Sequence, residues 1–159
     1  MRPRKLLTKG CVKILIVDDD KRTAELLYQL LNNDGREIYI AEDGLKAIKR
    51  LKEEDYDLII TDLKMPGADG IEVLKAARKI NPKVFVIVIT GFATLNTALE
   101  AIEAGAYSYL TKPFKLDEMK ILVNNAIKSI QLIGENESLL TGLKEVYSEL
   151  ETFKKTKKE

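Results

Sequence analysis

Apolar and polar positions alternate along the chain in two periods. Short β-branched runs at "KILIV" (13–17), "EIYIA" (37–41), "LII" (58–60), "KVFVIVI" (83–89) and "YSYL" (107–110) predict strands. Between them lie stretches of helical period: Lys21–Asn33, with Ala24, Leu27 and Leu31 on one stripe, then Leu45–Glu54, Ile71–Ile80 and Leu95–Ala104. A long final helix is predicted from Leu116 onward. Glycine or proline breaks separate the elements at "NNDG" (32–35), "EDG" (42–44), "MPGADG" (65–70), "NPK" (81–83) and "EAGA" (103–106).

Five strands alternating with helices require crossover connections, and right-handed crossovers place helices on both faces of a parallel sheet. The fold class expected is α/β, a five-stranded doubly wound parallel sheet with a C-terminal helical extension. Burial on both faces accounts for the unbroken greasiness of the first, third and fourth strands.

Three segments are expected: a loose basic arm at 1–11, a globular domain at 12–133, and an amphipathic C-terminal helix or linker at 134–159. In the last, Leu139, Leu143, Val146, Leu150 and Phe153 are spaced four, three, four and three, one helical stripe. The stripe leaves three uses open: dimerisation, folding back on its own domain, or the start of a linker.

Composition narrows the chemistry. With 159 residues, 45% of them hydrophobic, the chain can bury one ordinary core. Its formal net charge of +1 offers no general attraction to nucleic acid or to an anionic membrane, and its longest apolar run, "VFVIVI", is far below the roughly 20 residues of a membrane span. Cys11 is the only cysteine, which excludes an internal disulfide and fits a reducing compartment. The absence of histidine removes Ser-His-Asp and Cys-His catalysis and the usual zinc sites.

Four apolar strands hand over to polar residues at their C-terminal ends: Val17 to Asp18 and Asp19, Thr61 to Asp62, Ile89 to Thr90, and Thr111 to Lys112. Those ends share one edge of a parallel sheet, where open α/β folds bind ligands. Three carboxylates there repel one another by roughly 4 kcal/mol per pair at about 4 Å and an effective dielectric near 20. Lys112 supplies one compensating charge and a divalent cation would supply two more; Mg2+ suits an oxygen donor set of this kind. Carboxylate, magnesium, lysine and hydroxyl together point to phosphoryl transfer onto a carboxylate, with Asp62, alone on its strand end, as the nucleophile and Thr90 as a donor to a phosphoryl oxygen. Asp20 is expected to cap the first helix.

The segments "ILIVDDD", "LIITDLKMPGADG", "VIVITG" and "AGAYSYLTKPF" resemble, in family order and over about residues 12–133, the receiver domain of two-component response regulators. "TLNTALEAIEAGAYSYLTKPF" is closest to receivers of the nitrogen-regulation type, the sigma-54 activators. The resemblance implies a flavodoxin-like sheet of order 2-1-3-4-5 in a cytoplasmic protein, phosphorylated by a partner histidine kinase. It makes Asp62 the phosphoacceptor, Asp19 a direct magnesium ligand, Asp18 a ligand largely through water, and Lys64 a ligand through its backbone carbonyl. Thr90 is then the switch hydroxyl, Lys112 the phosphate-pairing lysine, Tyr109 the switch aromatic, and Lys112–Pro113 a cis peptide. Lys64 and Phe92 fall at the variable positions that affect the lifetime of the acyl phosphate.

In such a protein the face of the fourth helix and fifth strand, or the C-terminal helix, is where a homodimer would form. Two other readings stand beside this one. A magnesium-dependent phosphohydrolase of the haloacid dehalogenase kind would use Asp18 as nucleophile with Asp20 in a D-x-D arrangement, leaving Asp62 unexplained. A receiver-like module that binds partners without phosphorylation is the other.

Overall fold

A computed structural model describes residues 11–33 and 35–157. The basic arm expected at 1–11 lies outside these residues except for Cys11, which is exposed. Five strands, β1 (Val12–Val17), β2 (Arg36–Ala41), β3 (Leu58–Asp62), β4 (Phe85–Thr90) and β5 (Ser108–Thr111), alternate with α1 (Lys21–Leu31), α2 (Gly44–Glu53), α3 (Gly70–Ile80), α4 (Leu95–Glu103) and α5 (Leu116–Lys157). The strands form one sheet in the order β2-β1-β3-β4-β5, and every pairing is parallel. The doubly wound α/β architecture and the 2-1-3-4-5 order agree with the expectation.

Alternation within the strands builds two cores. Leu15, Val17, Ile59, Val86 and Val88 face one side, where they pack with Leu51, Leu74 and Ala101 from α2, α3 and α4. Ile14, Ile16, Leu58, Ile60, Ile87 and Ile89 face the other, against Leu27 and Leu31 of α1 and Met119, Val123, Ala126 and Ile130 of α5. Burying each such side chain stabilises the fold by about 1.5 to 3 kcal/mol.

Helix starts are set by local chemistry. Asp20 caps α1 by accepting from Arg22 N and the Thr23 hydroxyl, which accounts for the third aspartate of "DDD". Asp69 and Glu72 form a reciprocal capping box on α3, as Thr94 and Thr97 do on α4.

The differences from the expected bounds are small but place the site. β3 reaches Asp62 and β4 reaches Thr90, because both residues pair in the ladder: Asp62 with Ile89, Thr90 with Thr111. β5 is shifted one residue later than "YSYL", and Tyr107 instead donates its N–H to Val86 O just ahead of the strand. Helix α5 runs through Gly134 without interruption, so position 133, expected to end the globular domain, falls inside a helix.

Candidate phosphoryl-transfer site

The strand order puts β1, β3, β4 and β5 side by side, so their C-terminal ends carry Asp18, Asp62, Thr90 and Lys112 along one edge. Asp18 follows directly on β1 and is buried. Its Oδ1 accepts from Asp20 N at 2.9 Å and its Oδ2 accepts from Lys112 Nζ at 3.0 Å. Asp62 closes β3; its Oδ1 accepts from Leu63 N at 2.8 Å and its Oδ2 lies 3.4 Å from Lys112 Nζ. One ammonium therefore bridges two carboxylates from neighbouring strands. Asp19 is exposed at the rim, and carboxylate oxygens of Asp18, Asp19 and Asp62 all lie within 4.8 Å of one another.

The electrostatics of this cluster are uneven. Burial, and then the adjacent Asp18 carboxylate, push the Asp62 carboxyl above the ordinary carboxylate range against the opposing pull of Lys112. For Lys112, burial acts to lower the ammonium, but the hydrogen bond and charge of Asp18, together with Asp62, outweigh it and hold it above the usual lysine value. With all groups ionised, three carboxylates and one ammonium leave a net charge of minus two. A hard divalent cation fits that donor set, which is all oxygen and is partly open through Asp19.

Thr90 is fully buried at the end of β4. Its hydroxyl oxygen accepts from Phe92 N at 3.0 Å, and its carbonyl accepts from Lys112 N at 2.8 Å, which locks the β4 and β5 ends together. The peptide bond between Lys112 and Pro113 is cis. Tyr109 stands apart from the acid cluster: it is half-buried on β5, with its hydroxyl 2.8 Å from Thr97 Oγ1 on α4. Lys64 Nζ sits 4.3 Å from the Phe92 ring centroid, so the two variable rim positions meet as a cation–π pair.

Two supporting residues were not singled out from sequence. Gly70 opens α3 so close to β3 that an added Cβ would lie 2.2 Å from Asp62 O; the "DG" that precedes a helical run is the signal that could have marked it. Thr97 ties α4 to Tyr109, and its place three residues after the capping Thr94 is the corresponding signal.

Residues 14–124 match the response regulator receiver domain family. The chain belongs to that family. Among relatives of this receiver domain, the transcriptional regulatory protein ZraR of Klebsiella oxytoca is 36% identical over 121 residues, covering 76% of this chain and 27% of its own. The sporulation initiation phosphotransferase F of Bacillus subtilis is 39% identical over 108 residues, 68% of this chain and 87% of the relative. A solved receiver domain protein from Clostridium thermocellum superposes with a TM-score of 0.70 at 35% identity, covering 77% of this chain and 98% of that one. NtrX from Brucella abortus gives 0.72 at 30% identity over 81% of this chain and 30% of its own, in keeping with the nitrogen-regulation resemblance. The receiver spans between a quarter and a third of the length of the ZraR relatives it matches, 27% and 31% for two of them. Among the described residues no helix is long and apolar enough to cross a membrane.

The bridging ammonium predicts a stability effect. Lys112→Met leaves the buried Asp18 carboxylate without its cation, and the variant is expected to lose about 2 kcal/mol in a urea unfolding titration without divalent metal, since truncating one partner strands the other charge. Millimolar magnesium should recover part of that loss.

Proposed function

We propose that Asp62 accepts a phosphoryl group from the phosphohistidine of a partner histidine kinase in a magnesium-dependent reaction. An Asp62 carboxylate oxygen attacks phosphorus, a P–O bond forms as the P–N bond breaks, and the leaving imidazole takes up a proton. The observation that carries this reading is the contrast between the two strand-end carboxylates: the Asp62 side chain is 13% exposed, whereas that of Asp18 is 2% exposed and holds hydrogen bonds at both oxygens. Of these two, Asp62 is the acid a donor can reach. The same contrast disfavours Asp18 as the nucleophile of a haloacid dehalogenase-like hydrolase, and Asp20 is accounted for as a helix cap.

Asp19, Asp62, Asp18 through water, and the Lys64 backbone carbonyl would hold the magnesium ion. When bound, it supplies charge neutralisation at the phosphoryl oxygens. Lys112 neutralises a further phosphoryl oxygen, and Thr90 exchanges its bond from Phe92 N for one donated to the phosphate, drawing in the β4–α4 loop. Tyr109, tied to α4 through Thr97, carries that shift to the α4–β5 face. We take the domain to be a cytoplasmic signalling module rather than an enzyme, with residues 12–133 as the receiver and 134–159 leading to output.

Magnesium should raise the melting temperature, by the equivalent of about 1.4 kcal/mol at ten times its dissociation constant. Incubation with acetyl phosphate and magnesium should add one phosphoryl group by intact mass, and EDTA should prevent it. Absence of any adduct, including with beryllofluoride, would favour the non-phosphorylated binding module.

A further inference from the structure

Among the described residues, three polar or charged side chains are buried: Asp18, Thr90 and Thr61. Asp18 belongs to the acid cluster and Thr90 to the end of β4 beside it. Thr61 takes no part in the proposed reaction, yet it is fully buried one residue before the acceptor. It stands on β3 between Val17 of β1 and Val88 of β4, and by strand alternation it shares the face of Ile59, where both valines are core. Valine has nearly the same shape and would bury there without the desolvation cost of a hydroxyl. The fold alone gives no reason for the oxygen.

The bond that the oxygen makes goes to the acceptor's own backbone. Thr61 Oγ1 donates to Asp62 O at 2.9 Å. The Asp62 carbonyl and the Leu63 N–H are opposite ends of one planar peptide unit. At the other end, Leu63 N donates to Asp62 Oδ1 at 2.8 Å and to Ile89 O at 3.1 Å, so a single N–H is shared between the acceptor carboxylate and the β4 ladder. Rotating the plane about its Cα–Cα axis moves both ends together. The hydroxyl that holds the carbonyl therefore also sets how that N–H is divided. Gly70 of α3 closes in on the same carbonyl, since an added Cβ there would lie 2.2 Å from Asp62 O. With Oδ1 held by Leu63 N, Oδ2 stays 3.4 Å from Lys112 Nζ.

We propose that Thr61 is a positioning residue for phosphoryl transfer: through the Asp62–Leu63 peptide, its hydroxyl fixes the plane in which the Asp62 carboxylate meets the donor. The inference rests on Asp62 being the phosphoacceptor. Thr61 itself touches neither donor nor phosphoryl group. In Thr61→Val the peptide plane loses its hold, the shared N–H relaxes toward the ladder acceptor Ile89 O, and the carboxylate turns away from the line of attack.

The test compares Thr61→Val and Thr61→Ser with the unmodified chain, each shown by its urea midpoint to be folded under the conditions used. The first measurement is the rate of labelling by acetyl phosphate at saturating magnesium, followed by intact mass. Thr61→Val is expected to label at least about fivefold more slowly, and Thr61→Ser within about twofold of the unmodified chain, because small misplacements of a reacting group carry large rate costs. A hydroxyl with a merely structural role would shift the urea midpoint and leave the labelling rate of the folded protein unchanged. The second measurement, made without phosphodonor or metal, is the chemical shift of the Leu63 amide proton. It should move upfield in Thr61→Val as the bond to Oδ1 lengthens, and stay in place in Thr61→Ser. Equal labelling of Thr61→Val and the unmodified chain, a serine variant as slow as the valine one, or a Leu63 amide that does not move in Thr61→Val would each overturn the proposal alone. An unmodified chain that takes no label would overturn the reading of Asp62 as acceptor, and the role of Thr61 with it.

Discussion

Asp62→Asn is expected to show no mass gain with acetyl phosphate and magnesium under conditions that label the unmodified protein to more than half, a fall of at least about a hundredfold in rate, because the amide offers no anionic nucleophile. A second consequence concerns pH. Burial and then Asp18 hold the Asp62 carboxyl above its ordinary range in the metal-free protein. Ionised Asp62 therefore takes stability from the fold at pH values above the unfolded pKa, and the loss is relieved as pH falls through the raised folded value. The asparagine variant should accordingly melt higher than the unmodified protein at pH 7 without metal, with the difference shrinking on acidification. Saturating magnesium should narrow or invert the order, because the ion's carboxylate ligand is gone. A variant that melts lower at pH 7 without metal would contradict the strained carboxylate.

Gly70→Ala is expected to damage both the fold and the site with a single methyl group. Its Cβ would stand 2.2 Å from Asp62 O and 2.9 Å from Leu63 Cα, both backbone atoms of the strand end that carries the acceptor. Backbone cannot rotate out of the way, so either β3 or α3 must move. The short bond from Gly70 N to Leu63 O, 2.8 Å, would move with it. The expected cost is about 3 kcal/mol or more in a denaturant titration, together with slower labelling of Asp62. Gly91→Ala is the control: its nearest neighbour would be Lys112 Cβ at 3.9 Å, and stability should change by less than about 0.5 kcal/mol.

The sheet was legible because its signals are local and repeated. Two-sided burial writes itself as runs such as "KILIV" and "VFVIVI", and crossover geometry allows few topologies for five of them. Asp18, Asp62, Thr90 and Lys112 were legible for a related reason: each follows or ends a strand, so the shared edge brings them together from nearly a hundred residues apart. What escaped notice depends on closeness between segments. Gly70 reads as an ordinary helix start until β3 is seen beneath it. The bond from Thr97 to Tyr109 needs α4 docked on β5. Gly134 reads as punctuation, yet helix continues, since one glycine costs only about 1 kcal/mol and its neighbours are good helix formers.

The pairing of Glu137 with Lys83 fixes where α5 leaves the domain: beside the loop that precedes β4, at the end of the sheet opposite Thr90. The helix begins next to Lys112, at the site, and departs at the far end in one unbroken piece, which makes it a lever. Some 20 residues lie beyond the Glu137 fulcrum, about 30 Å of helix. A tilt of about 5° set by α5 repacking against β5 would therefore displace the Lys157 tip by roughly 2.5 Å, about half the 5.4 Å pitch of the helix. A small shift at Asp62 would thus be magnified into a sideways movement at the far end of the helix.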